Sequence, residues 1–188
     1  KAVQVVMPYS YSEKTMYSVE MLKKYQSIFI EACSYITEIT EIKHIAFCKR
    51  YYAECEKMLS LYPKNKIIGV HIRRGDHLEA IKNSPTELFL QKIREQLKKE
   101  PDFYFYVATD DRNTAERLKE YASGHAILQD GKSYERFSLR GQNEAIVDLL
   151  ALSQTCKIWG SSGSTFSSMA EMIGKNPLEI LKNSNKEE

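Results

Sequence analysis

His71, Arg73, Arg74 and Asp76 fall within six residues, directly after the apolar run Ile67-Ile68-Gly69-Val70. A run of this kind builds a strand in a sheet buried on both faces. Two guanidinium groups at its carboxyl end need partners, because an unpaired buried charge is costly. A phosphate or diphosphate satisfies the planar fork of Arg. So does an ion pair inside the loop, with Asp76 as the carboxylate. A second group, Gly160-Ser161-Ser162-Gly163-Ser164-Thr165, follows another short apolar run and opens a helical pattern. Its amides and hydroxyls could cradle a phosphate at the positive end of a helix dipole, or only cap that helix. It lacks the Gly-Lys-Ser/Thr of a P-loop, and no GxGxxG turn follows the first strand, which argues against a nicotinamide or flavin site. Ala108-Thr109-Asp110-Asp111 ends a third apolar run. Its two acids are adjacent, without the one-residue gap of an Asp-x-Asp cation motif.

The elements that must position these residues alternate in type from residue 66 onward. Strands are expected at 67–72, 103–107, 126–128, 157–160 and 178–181. A helix opens at Ser84-Pro85-Thr86-Glu87, with Ser84 as N-cap, Pro85 in the first turn and Glu87 completing a capping box. Its inner face is Phe89, Ile93 and Leu97. Further helices are expected at 113–122, 144–153 and 166–173. Strand–helix alternation at this spacing gives right-handed crossovers and a parallel sheet covered by helices. Ligands of such sheets sit beyond the carboxyl ends of the strands, where the polar groups above cluster.

Residues 1–62 read as mostly helical. Leu22, Tyr25, Phe29, Cys33 and Ile36 make one apolar stripe, and Tyr51, Cys55, Met58 and Tyr62 a second, broken by Pro63. The expected organisation is a helical extension, 1–62, followed by an α/β domain, 63–188. The chain opens on Lys1 with neither an initiator Met nor a signal-peptide pattern, so a fragment or processed product is expected.

With 188 residues, 43% of them hydrophobic, the chain can bury a real core. A net charge of +2 gives no broad basic field for nucleic acid, and no run is long and apolar enough for a transmembrane helix. Cys33, Cys48, Cys55 and Cys156 lack CxxC spacing and a nearby His pair, so free thiols are expected rather than a zinc site. Neither they nor anything else in the sequence fixes a compartment.

His71-x-Arg73-Arg74-x-Asp76 after a hydrophobic strand resembles the first signature of the GDP-fucose-dependent fucosyltransferases, the α1,2-, α1,6- and protein O-fucosyltransferases. Asp148-Leu149-Leu150-Ala151-Leu152-Ser153-Gln154, then a strand, then Ser164-Thr165-Phe166, is similar to the last signature of that family in order and spacing. The resemblance spans residues 66–188. It implies the Rossmann-like, donor-binding half of a GT-B glycosyltransferase. It also implies inverting, metal-independent transfer of fucose from GDP-fucose to a glycan or protein hydroxyl, with no cofactor beyond the donor. The Trp-Trp run that α1,2-fucosyltransferases often carry after the last loop is replaced by Thr165-Phe166-Ser167-Ser168, closer to the α1,6 and O-fucosyltransferase pattern. A second facing domain does not fit into about sixty helical residues. The alternative is therefore a GDP-binding module, a truncated or inactive donor domain without transferase activity.

The resemblance also implies roles. Arg73 contacts the β-phosphate and leaving oxygen. Asp148 accepts the ring N–H and exocyclic amine of guanine. His71 lies near the nucleotide, and Asp110 matches the Asp after the second strand. Ser164, Thr165 and Phe166 line the donor. Arg74, on the opposite strand face from Arg73, either shares the diphosphate or pairs with a carboxylate. Each has a structural alternative: a core His bonded to backbone, an inner-turn Asp, a helix cap.

Overall fold

The computed structural model describes residues 2–6, 27–31 and 46–183. The chain divides into two compact units, Lys1–Lys43 and His44–Glu188. In the first, β1 (Ala2–Val6) and β2 (Ser27–Glu31) pair in parallel, Ala2 opposite Ser27 and Val6 opposite Glu31. Phe29, expected on a helical stripe, is thus in a strand. Ser27-Ile28-Phe29-Ile30 is a β-branched and aromatic run that suits a pleated surface better than a helix. The other stripe residues, Leu22, Tyr25, Cys33 and Ile36, lie outside the described residues.

The second unit begins with helix α1 (Lys49–Leu59), whose Tyr51, Cys55 and Leu59 are buried. Strand β3 (Ile67–Ile72) follows, then α2 (Leu78–Asn83), α3 (Thr86–Lys99), β4 (Tyr104–Thr109), α4 (Arg112–Tyr121) and β5 (Ala126–Ile127). The chain continues through α5 (Leu139–Ser153), β6 (Lys157–Ser161), α6 (Thr165–Gly174) and β7 (Leu178–Leu181). The strands form one five-stranded sheet in the order β5-β4-β3-β6-β7, with every pairing parallel. This is a Rossmann-like α/β fold.

Alternation along β3 feeds two cores. Ile67 faces a cluster with Tyr106, Ala108 and Ile158, covered by α1 (Cys55, Leu59), α5 (Val147, Leu150) and α6 (Ala170). Ile68, Val70 and Ile72 face Phe105, Val107 and Trp159, covered by α3 (Phe89, Ile93) and α4 (Leu118). The α1 helix is therefore part of the α/β unit. The Cys55 thiol donates to the Val147 carbonyl oxygen at 3.4 Å, and burial pushes its pKa up to about 12. The boundary expected at 62/63 thus moves to 43/44, because the second apolar stripe is one face of this core.

The strand order places β3 at the centre. The chain crosses to β4 on one side and later to β6 on the other, so the segments after β3 and β6 diverge. This is the topological switch point, where open parallel sheets leave a crevice.

Candidate functional site

The crevice is built by strand ends tied together through backbone. The Arg73 amide donates to Ser161 Oγ at 3.0 Å, and Ser161 Oγ donates to the His71 carbonyl at 3.3 Å. Ser161 is fully buried. The end of β3 is thereby stitched to the end of β6.

Arg73 and Arg74 part ways at this point. The Arg73 guanidinium pairs with Asp110 through Nη1 and with Asp76 through Nη2. The Arg74 amide donates to the other Asp110 oxygen at 2.7 Å. Asp110 therefore fixes both the backbone and the fork of this turn, and Asp111, not Asp110, caps α4 by accepting from the Thr114 amide at 2.7 Å. Gly75 completes the turn at φ 46°, where a Cβ would lie 2.9 Å from Asp110 Oδ2; only glycine takes both constraints cheaply.

Arg74 turns away from this cluster. Its guanidinium is buried and donates to the Ser84 carbonyl at 3.0 Å, Thr86 Oγ1 at 2.7 Å and the Arg73 carbonyl at 2.7 Å. It meets no carboxylate. Burial lowers its pKa, partly offset by Asp110. Where the sequence left a carboxylate as one partner for Arg74, the structure gives neutral oxygens.

Ser84 also departs from expectation. The N-cap of α3 is Pro85, with no side-chain cap bond. Ser84 Oγ instead accepts from the Ser162 amide at 2.8 Å and donates to the Leu181 carbonyl. Its hydroxyl thus joins the β6–α6 loop to the end of β7.

His71 is nearly buried, and its Nδ1 is 2.7 Å from Ser167 Oγ. Its ring lies 4.8 Å from that of Phe166. Burial, reinforced by Arg73 and Lys132, lowers its pKa to about 3, so it is neutral at ordinary pH. Gly160, opposite His71 in the sheet, makes the approach of α6 possible. A Cβ there would sit 2.6 Å from Ser167 Oγ.

The α6 helix begins at Thr165, and its N-cap Ser164 makes no side-chain cap bond. Thr165 is exposed, while Ser164 and Phe166 are half-buried. First-turn amides without a side-chain cap, at the positive end of a helix dipole, suit an anion. They follow the strand end, Ser161, that accepts from the Arg73 amide.

Asp148 lies within α5, 4% exposed. Its Oδ1 accepts from the Tyr106 hydroxyl at 2.7 Å and from Gln129 Nε2; its Oδ2 pairs with the Lys132 ammonium. Lys132 also donates to the carbonyl of Thr109, the last residue of β4, at 2.9 Å. Three residues of the site went unmarked in the sequence: Lys132, Arg136, which bridges to Asp76 at 2.9 Å, and His77, whose ring would lie 3.2 Å from a Cβ at Gly163. Lys132 and Arg136 sit in the polar stretch between β5 and α5, which has no period to mark them. His77 immediately follows the first motif, which was the available signal.

Among the described residues, no group of three or more His, Cys, Asp or Glu side chains converges as a metal site, and no helix is long and apolar enough to cross a membrane. Cys48, Cys55 and Cys156 are free thiols; Cys33 lies outside the described residues.

No protein-family model and no curated protein sequence matches the chain. Solved structures do. The fold is similar to that of POFUT1 crystallised with GDP, at 14% identity and a TM-score of 0.51, covering 70% of this chain and 46% of that one. POFUT1 in complex with GDP-fucose gives 13% identity, the same TM-score and the same coverage. The α-1,6-fucosyltransferase NodZ, co-crystallised with GDP, aligns at 16% identity with a TM-score of 0.48, over 67% of this chain and 42% of its own. The chain spans less than half the length of these structures. At this identity the POFUT1 match shows a shared α/β fold.

Proposed function

We propose that the α/β unit binds a nucleoside-diphosphate sugar, GDP-fucose, in the crevice between β3 and β6, and serves as the donor half of an inverting, metal-independent fucosyltransferase. The observation that carries this reading is the placement of Arg73. A guanidinium, 14% exposed at the side chain, stands at the topological switch point, at the end of the strand next to the one that leads into a helix without a side-chain cap. Asp110 holds one arm of the fork. Asp76 holds the other but is 73% exposed, so a diphosphate can replace it at little cost.

The chemistry follows from charge. Breaking the bond between the sugar and its β-phosphate leaves negative charge on the departing diphosphate. A guanidinium fixed in place stabilises that charge more in the transition state than in the ground state. The α6 amides and the hydroxyls of Ser164 and Thr165 would share the load, with Phe166 and neutral His71 forming an apolar wall. A glycan or protein hydroxyl would accept the fucose. Asp148 would read guanine through its two donors once Gln129 gives up its place on Oδ1.

The short span relative to the matched structures favours a second reading: a unit that binds GDP without transferring. Hydrolysis of GDP-fucose separates the two, since it needs no acceptor. Arg73→Lys keeps the charge and loses the fork. Donor binding should remain measurable while hydrolysis falls roughly a hundredfold or more. Arg74→Lys should lower stability and leave hydrolysis per folded molecule nearly intact. Activity lost with Arg74→Lys but kept with Arg73→Lys would exchange the roles of the two arginines. No hydrolysis by the unaltered chain, with GDP still bound, would favour the binding module.

A further inference from the structure

Asp148 has no room for a base as it stands. A carboxylate offers about four acceptor positions. Tyr106 and Gln129 take both on Oδ1, and Lys132 takes one on Oδ2. A base edge with two adjacent N–H donors needs a position on each oxygen: Oδ2 keeps one beside Lys132, but Oδ1 has none left, so Tyr106 or Gln129 must leave it. Tyr106 is fully buried in β4 and cannot. Gln129 and Lys132 belong to the segment between β5 and α5, and Gln129 is further held by the Glu144 carbonyl at 2.8 Å. Lys132 is the strongest competitor, because its ammonium neutralises the charge that would draw a base in.

We infer that Lys132 is a specificity-determining residue: its ammonium neutralises the Asp148 charge that would draw a nucleobase's two donors, and so limits how far base identity counts in binding. This rests on the reading of Asp148 as the base-reading residue. Guanine, with a ring N–H beside an exocyclic amine, can compete for both oxygens. Adenine, with the amine alone, cannot. Removing the ammonium therefore favours guanine selectively and leaves phosphate recognition at Arg73 and α6 unchanged.

The test is calorimetric titration of the whole chain with GDP, ADP and inorganic pyrophosphate, with thermal melting of each variant alongside. Lys132→Gln removes the charge and keeps a neutral donor. It should raise the preference for GDP over ADP about tenfold, with pyrophosphate affinity within about twofold of the unaltered chain. Lys132→Arg keeps a cation on Asp148 and should hold the preference at or below its original value; if Lys132→Gln fails to fold, this variant decides. In Asp148→Asn, Lys132→Gln should change nothing. A GDP/ADP ratio unmoved or lowered by Lys132→Gln, or raised by Lys132→Arg, overturns the inference while GDP binding itself stands. A ratio untouched by Asp148→Asn alone overturns Asp148 as base reader, and the inference with it. Binding of neither GDP nor pyrophosphate overturns the proposed function.

Discussion

His71 and the two arginines show how much a single position can conceal. Adjacent arginines in one motif meet opposite fates, because the chain turns at Gly75 and leaves Arg73 at the crevice while Arg74 enters the wall beneath it. Sequence alternation indicates that they face apart. It does not indicate that Arg74 would find three neutral oxygens, since Ser84 and Thr86 arrive from a separate element. His71 carries a testable pH signature. It is held neutral, its pKa lowered from the usual value to about 3. Its folded-state pKa lies below its unfolded one, so the unfolded chain takes up the proton first as pH falls. The stability His71 contributes is complete above about pH 6.5 and is lost as pH falls towards 3. Chemical denaturation should show the unaltered protein losing up to roughly 1.4 kcal/mol per pH unit more than His71→Asn inside that window. Parallel pH profiles would show that His71 is protonated, or accessible to solvent, in the folded state.

Among the elements, those with strong period or chemistry at their ends were the legible ones. The runs 67–72 and 178–181 coincide with β3, buried throughout, and with β7, an edge strand entered from Pro177. The stretch 27–31 was not legible: its apolar residues fit a helical stripe equally well, and pairing with β1 decided the matter. The capping box at Ser84 fails for a similar reason. Its hydroxyl is claimed by the Ser162 amide and the Leu181 carbonyl, groups distant in sequence. Ser84→Ala removes the partner of the half-buried Ser162 amide and of the buried Leu181 carbonyl, and a loss of about 1–3 kcal/mol in unfolding free energy is expected. The β6–α6 loop should also loosen, weakening diphosphate binding. A loss below about 0.5 kcal/mol, within the range of ordinary surface substitutions, would mean that the link carries no energy. The segment between β5 and α5 shows the opposite failing. It has turn composition and no period, yet it delivers Lys132 to Asp148 and Arg136 to Asp76.

For the molecule as a whole, the sheet order converts separate motifs into one site. Strand–helix alternation put the Ser-rich loop and the Arg73 turn at the same end of the sheet; the strand order, with β6 next to central β3, makes them neighbours. The account stands on that convergence, and its central claim is that a diphosphate binds where Arg73 meets the start of α6. The direct measurement is calorimetric titration of GDP, in the presence of a chelator, into the unaltered chain and into Arg73→Ala. The account predicts saturable binding without divalent metal by the unaltered chain, weakened at least tenfold in Arg73→Ala with its melting temperature little changed. Equal affinities in the two proteins, or binding that disappears with the chelator, would contradict it.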